Sequence, residues 1–324
     1  MALATWLGFQ AAVSVAATWL ALVYARRRNL VDQPGERRSH RVPTPRGGGI
    51  GITVALLCGV GAGLVVGLLP AVPALCFAGG LLLVAGIGWV DDHRPLSPWP
   101  RLVVQSLAGA VLAWGLHGMD GHWGWALLVC ILVPVLVNVW NFMDGIDGLA
   151  ATQAILVAAS VACLVPAMTP VALALAVAAA GFLPFNFPRA RIFLGDVGSG
   201  TLGYALAALV GMGAARTGLP AALLLLLPLS AFVLDAALTL AGRMLAGERW
   251  WQPHTSHLYQ RWVKAGRSHV FVTTVYAVFS FVATILAVCV SSSTTPWLAG
   301  GGTVLWFACA ALGWLRMRRC LSQG

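Results

Sequence analysis

Apolar positions in this chain come in long uninterrupted blocks. They neither alternate with the period of two of a half-buried strand nor leave the polar stripe of a soluble amphipathic helix. Blocks near the roughly 17–25 residues that a helix needs to cross a bilayer predict membrane spans. They fall at Leu3–Ala25, Ile50–Leu69, Val72–Val90, Leu102–Leu116, Trp125–Asn138, Ala150–Val165, Thr169–Pro184, Thr201–Ala214, Leu219–Leu240, Val270–Val290 and Trp297–Leu315. Pro166 and Pro170 leave the stretch from Val157 to Leu183 open to a different division. The expected fold class is all-α: a polytopic integral membrane protein with about eleven transmembrane helices, forming one domain over residues 1–324. Small residues spaced along the spans, Gly59, Gly63 and Gly67, and Gly80 with Gly88, are expected to let helices pack closely.

Composition agrees with that pattern. Hydrophobic residues make up 59% of the chain and mean hydropathy is +0.85, more apolar surface than a soluble domain can bury while still covering itself with polar groups. Charge adds an orientation, because basic residues are retained in short cytoplasmic loops. With eleven spans, alternate loops and the carboxyl-terminal tail hold every one of the 20 Lys and Arg residues except Arg216. That places the amino terminus outside and the carboxyl terminus in the cytoplasm. The net charge of +10 is spread over membrane edges without the contiguous basic face that nucleic acid requires, so anionic membrane lipids are the expected partner. The first apolar block has a basic cluster after it and none before, and is expected to stay as an anchor. Cys58, Cys76, Cys130, Cys163, Cys289, Cys309 and Cys320 form no Cys-x-x-Cys pair, which argues against a disulfide framework or a zinc site.

Charged residues amount to only 9% of the chain, so the acids that interrupt it stand out. Carboxylates are costly near a bilayer and mark functional sites there. Asp91-Asp92 close the third span. Asn138, Asn141, Asp144 and Asp147 recur every third residue at the end of the fifth, more polar groups than a helix cap needs. Gly195-Asp196-Val197-Gly198-Ser199-Gly200 precedes the eighth, offering a carboxylate together with free N–H groups at a helix start. Under the proposed topology these clusters share the cytoplasmic face. Five such carboxylates repel one another unless a divalent cation joins them, and Mg2+, which takes oxygen ligands and is shared with substrate phosphates, suits them, with Mn2+ as an alternative. His254 and His257 lie in the long loop before the tenth span and read as donors to an anionic ligand, with Arg249 and Arg261 nearby. Trp250-Trp251 is expected at the headgroup level. Asp235, inside the ninth span, either neutralises Arg243 or belongs to the site.

Taken together, the Pro43-Thr44-Pro45-Arg46-Gly47-Gly48-Gly49 loop, Asp91-Asp92, Asn138-x-x-Asn141-x-x-Asp144-Gly-x-Asp147-Gly, Phe193-Leu-Gly-Asp196-x-Gly-Ser and the His254 loop resemble the polyprenyl-phosphate N-acetylhexosamine-1-phosphate transferases over nearly the whole chain. Gly247-Glu248-Arg249-Trp250-Trp251-Gln252 before His254 is most similar to the O-antigen-initiating subgroup. The resemblance implies an enzyme of the bacterial inner membrane that moves a sugar 1-phosphate from a UDP-N-acetylhexosamine to undecaprenyl phosphate and releases UMP. It implies a catalytic set of Asp91, Asp92, Asp144, Asp196, His254 and His257. Metal ligation would fall to Asn141, Asp196 and Asp92, and substrate binding to Arg46, Arg101, Asn138, Asp147, Asn186, Phe193 and Arg261. Within that set Phe193 would stack on uracil and Asp147 would contact the base. The sugar is left open among N-acetylglucosamine, N-acetylfucosamine and N-acetylquinovosamine, and so is a homodimer. Two departures bear on the site: Thr255 and Ser256 separate His254 from His257 where several relatives have a denser His motif, and Gly242-Arg243 stands where relatives often have two basic residues. A transporter for an anionic substrate is the competing class. The CDP-alcohol phosphotransferases fit less well, because no Ala-Arg follows Asp144-Gly145.

Overall fold

The computed structural model describes residues 3–33, 35, 42–120, 122–249, 251–252, 254–292 and 296–322. Arg37, Arg38, Arg41 and Trp250 lie outside them. The apolar blocks are helices: α1 (Leu3–Arg27), α2 (Ile50–Val65), α3 (Ala71–His93), α4 (Pro98–Asp120), α5 (Trp123–Met143), α6 (Leu149–Leu164), α7 (Thr169–Asn186) and α8 (Gly195–Thr217). They continue with α9 (Leu219–Leu224), α10 (Ser230–Leu245), α11 (Leu258–Lys264), α12 (His269–Ser291) and α13 (Pro296–Ser322). Among the described residues, seven helical stretches are long and apolar enough to cross a membrane, beginning at Leu3, Ala71, Trp123, Pro166, Gly195, His269 and Trp297, and α2 and α6 are shorter apolar helices.

The structure is nearly all-α, as expected, and three features add detail to the pattern of spans. The ninth apolar block is not one helix: α9 ends at Leu224 and α10 starts at Ser230. Pro228 is the cause, since it has no N–H to give to the Leu224 carbonyl and its ring crowds that position. The Pro166–Met168 segment is a 3-10 turn that separates α6 from α7, which settles the division around the two prolines. Finally, β1 (Val31–Asp32) and β2 (Thr44–Pro45) form a short antiparallel ladder, with Val31 opposite Pro45 and Asp32 opposite Thr44. Arg46 N–H extends the pairing to the Leu30 carbonyl at 3.2 Å, so the ladder carries Arg46 and the following glycines back onto the bundle.

Helix α8 is the axis of the molecule. Nearly all of its residues from Val197 to Ala214 are buried, against α5, α3, α2 and α6. Its Gly, Ala and Ser content allows this, because small residues are what let helix backbones approach inside a membrane. A Cβ on Gly203 would lie 2.5 Å from the Leu136 carbonyl of α5, and one on Gly88 of α3 would lie 2.6 Å from the Asp196 carbonyl. Gly80 and Gly59 pack as expected, against Tyr204 and Gln10. Gly67 does not: it lies beyond α2 at φ +70 with nothing within 4 Å, and serves a turn.

Candidate functional site

Helices α3, α5 and α8 bring their polar ends to one end of the bundle. Asp92 closes α3 and caps α8 from across the chain: its Oδ1 accepts the Asp196 N–H at 3.0 Å and its Oδ2 accepts the Val197 N–H at 3.1 Å. The approach depends on Gly195, at φ +75, where a Cβ would stand 2.6 Å from Asp92 Oδ2. Arg46 closes the same junction, donating to the Asp92 carbonyl and, at 3.3 Å, to the Asp91 carbonyl, with its Nε 3.8 Å from Asp92 Oδ1. Asp92, expected among the metal ligands, is thus buried and bonded to the start of α8.

Asp91 faces the other way. Its Oδ1 accepts the Leu96 N–H, and its Oδ2 lies 2.7 Å from Arg101 Nη1. The same Arg101 nitrogen reaches Asp196 Oδ2 at 3.2 Å, and Asn141 Nδ2 donates to Asp196 Oδ1 at 2.5 Å and to Ser199 Oγ at 3.3 Å. Asp91, Arg101, Asp196 and Asn141 therefore form one row contributed by α3, α4, α8 and α5. Asp196 stays 31% exposed, so a carboxylate in the row remains reachable. Asn138, one turn back on α5, donates to Gln105 Oε1 at 2.7 Å.

The row borders a cavity of about 540 Å3 lined by Arg101, Asn138, Asn141, Asp144, His254 and His257. Asp144 follows the last residue of α5, is half-buried and lines the cavity. Burial, then the charges of Asp92 and Asp147, push its carboxyl up to about 8, so it holds a proton at neutral pH when no cation offsets those charges. Burial, then His257 and Arg243, pull His254 down to about 4 and keep it neutral there. His257 is the N-cap of α11, with its N–H donated to Gln260 Oε1 at 3.3 Å, and its ring lies 4.9 Å from that of His254. Trp251 borders the same cavity and is 48% exposed.

Besides Arg46, Asp91, Asp92 and Asp196, four further predicted residues do not line the cavity. Asp147 Oδ2 accepts the Ala190 N–H at 3.2 Å and lies 3.3 Å from His269 Nδ1. Asn186 spends both ends of its amide on backbone, accepting from Gly148 N–H at 2.8 Å and donating to the Ile192 carbonyl at 3.0 Å. These two clasp the turn after α5 to the segment before α8. Phe193 holds the Gly48 N–H on its carbonyl and gives its own N–H to Pro45. Arg261 Nε donates to the Ser256 carbonyl at 3.1 Å and so braces the His loop.

The description Glycosyl transferase family 4 matches residues 74–214. A decaprenyl-phosphate N-acetylglucosaminephosphotransferase of Mycobacterium leprae is 32% identical over 311 residues, covering 80% of this chain and 76% of that protein. The chain belongs to glycosyl transferase family 4. A probable undecaprenyl-phosphate N-acetylglucosaminyl 1-phosphate transferase of Bacillus subtilis is 29% identical over 83% of this chain and 79% of its own length. A phospho-N-acetylmuramoyl-pentapeptide-transferase of Synechococcus is 36% identical over 51% of this chain and 54% of that protein. With its apolar helices, this family 4 member is a multi-pass membrane protein. The family 4 match contains the whole Asp91–Arg101–Asp196–Asn141 row, whereas the His254 loop lies past its end and reaches the cavity only through the fold.

Sequence reasoning missed Gln105, although it follows Arg101 by four residues on α4 and so shares its face. It also missed Tyr259, whose hydroxyl donates to the Phe142 carbonyl at 3.0 Å and ties the His loop to α5; nothing in its spacing could have shown this. Asp235 does not neutralise Arg243, which pairs with Glu248 at 2.7 Å. Among the described residues no three His, Cys, Asp or Glu side chains converge as a ready metal cage. The oxygens on offer are those of Asp91, Asp196 and the Asn141 amide, a hard and incomplete set of the kind a Mg2+ shared with phosphates uses.

Proposed function

We propose that this family 4 transferase moves an N-acetylhexosamine 1-phosphate from a UDP-sugar to undecaprenyl phosphate at the cytoplasmic face of a bacterial inner membrane. The carrying observation is the Asp91–Arg101–Asp196–Asn141 row beside a polar cavity at one end of an apolar bundle. A lipid phosphate oxygen forms a bond to the sugar-bearing phosphorus of the donor while the bond from that phosphorus to UMP breaks, and UMP leaves with the electron pair. Positioning and charge neutralisation are the main demands of such a transfer. Arg101 is placed to meet a phosphate, and Asn138, His254 and His257 line the volume a nucleotide sugar would fill. Asp196, Asn141 and Asp91 would hold a Mg2+, which supplies neutralisation of the donor's diphosphate, while Asp92 and Arg46 keep α3 and α8 in register. Eleven crossings, with the amino terminus outside, put the cavity in the cytoplasm, where a UDP-sugar is found. The Glu248–Gln252 sequence before His254 points to the first membrane step of O-antigen or a related envelope polysaccharide.

The test is UMP release by purified protein given undecaprenyl phosphate, Mg2+ and a panel of UDP-N-acetylhexosamines, with lipid-free and EDTA controls. Lipid- and cation-dependent release with one sugar is expected. Folded protein that releases no UMP with any sugar overturns the reading and returns the transporter class.

A further inference from the structure

Asp235 lies at full burial inside α10, where an anion is costly. It is nevertheless surrounded by donors from four elements. Its Oδ1 accepts the Leu258 N–H at 2.8 Å, Trp314 Nε1–H at 3.1 Å and Thr239 Oγ1–H at 3.3 Å, and its Oδ2 accepts the Tyr276 hydroxyl at 2.7 Å and the Tyr259 N–H at 3.3 Å. All five donors are neutral. Among the described residues its one ion-pair partner is His257, whose Nδ1 lies 3.7 Å from Oδ1. That nitrogen is itself buried and without a hydrogen-bond partner, although the His257 ring lines the large cavity. A buried imidazole nitrogen with no hydrogen-bond partner thus faces a buried carboxylate that has only neutral donors, across a gap that a shift of well under an ångström closes.

We propose that Asp235 is a positioning residue that acts through His257: the carboxylate takes the Nδ1–H of the imidazole, fixes the ring plane and tautomer, and leaves Nε2 for the donor in the cavity. Which nitrogen carries the proton is set by the bond the other makes, and a buried carboxylate behind a histidine sets both orientation and tautomer. The Leu258 and Tyr259 N–H bonds hold the start of α11, of which His257 is the cap, so backbone and ring are registered on the same two oxygens. The pairing also separates the two histidines: His257 is braced from behind, whereas His254 Nδ1 meets only Ser256 of its own loop, at 3.2 Å to Oγ. His257 is therefore the one that contacts the donor.

The geometry can be tested without substrate, and the consequence for turnover rests on the sugar-phosphate transfer reading. In full-length protein carrying 13C,15N-histidine in lipid nanodiscs, the resonance lost in His257→Gln identifies His257, and its carbon and nitrogen shifts report the tautomer. The Nδ1–H form is expected, and the Nε2–H form overturns the proposal. In the transfer assay Asp235→Asn, whose amide turns an N–H toward the ring and forces the other tautomer, is expected to lower kcat about 10- to 100-fold with donor KM changed less than about threefold. His257→Gln should lower kcat similarly and the double variant no further, while Asp235→Asn combined with His254→Gln should multiply. A kcat for Asp235→Asn within about threefold of the parent, or a double variant equal to the product of the singles, overturns it. If Asp235→Asn fails to fold, the tautomer decides. Wild-type protein that transfers no sugar phosphate while showing the Nδ1–H form would bring down the reaction and leave the pairing standing.

Discussion

Arg101 holds Asp91 and Asp196 with one nitrogen, at 2.7 and 3.2 Å, and so offsets the repulsion between the two carboxylates. In the proposed transfer Asp196 is the more consequential of the two carboxylates. Asp196→Asn keeps the shape of the side chain and its contact with Asn141, and should leave the protein folded, while Mg2+-dependent UMP release falls at least ~100-fold, the scale of losing a charge-stabilising group in a transfer site. Near-normal turnover would remove Asp196 from the metal set. Asp144 supplies a pH signature at the same scale. Its carboxyl, at 3.8 when free, is pushed up to about 8 in the fold. Between those values the folded state binds more protons than the unfolded one, so this contribution to stability is complete at pH values below 3.8 and drains away as pH rises through about 8. In EDTA, the Tm of Asp144→Asn relative to the parent should therefore rise steadily from pH 5 to 8.5. A difference that is constant with pH would show that the proton is not held.

The junction of α3 and α8 is where helix geometry becomes site geometry. No side chain of its own segment caps α8, whose Leu194 N-cap makes no such bond, and Asp92 does so from the end of α3. Asp92→Ala leaves one buried and one part-buried N–H group unmet and should cost about 2 kcal/mol or more, above the usual value for an exposed cap. Asp92→Asn, which keeps one acceptor, should cost less, and thermal unfolding in detergent compares them. Gly88→Ala tests the same contact without touching a charge: its methyl would meet the Asp196 carbonyl at 2.6 Å, backbone that cannot swing aside, so Asp196 must move and turnover should drop at least ~10-fold by the effect of small misplacements on reaction rate. Unchanged turnover would mean that α3 can slide without disturbing the row. The acids at these helix ends were legible in the sequence, because charge within an apolar chain announces itself. Their division of labour was not, because Asp91 and Asp92 differ by one step of a helix and only the neighbours on either side show that one faces Arg101 and the other α8.

At the scale of the whole molecule, the proposed topology places the His loop and the acid row on the same side of the membrane. With the native cysteines replaced, Gln252→Cys should react with a membrane-impermeant thiol reagent in inside-out vesicles and not in right-side-out ones. The opposite result would invert the molecule and place its cavity away from nucleotide sugars. The apolar blocks by themselves determined that the chain is helical and belongs in a membrane, since backbone groups in lipid must satisfy one another within the segment. The acid and asparagine spacing likewise marked the helix ends that the fold brings together. Tertiary structure alone decided what each polar side chain does. Asn186 and Asp147, read as substrate contacts, clasp backbone; of the two readings of Asp235, as a partner for Arg243 or as part of the site, the fold puts it 3.7 Å from His257; and Pro228 turned one expected span into two helices. The physical reason is that hydropathy is summed along a segment and survives in the sequence, whereas a hydrogen bond is made between atoms about 3 Å apart, and those atoms come from residues as distant as Asp92 and Asp196.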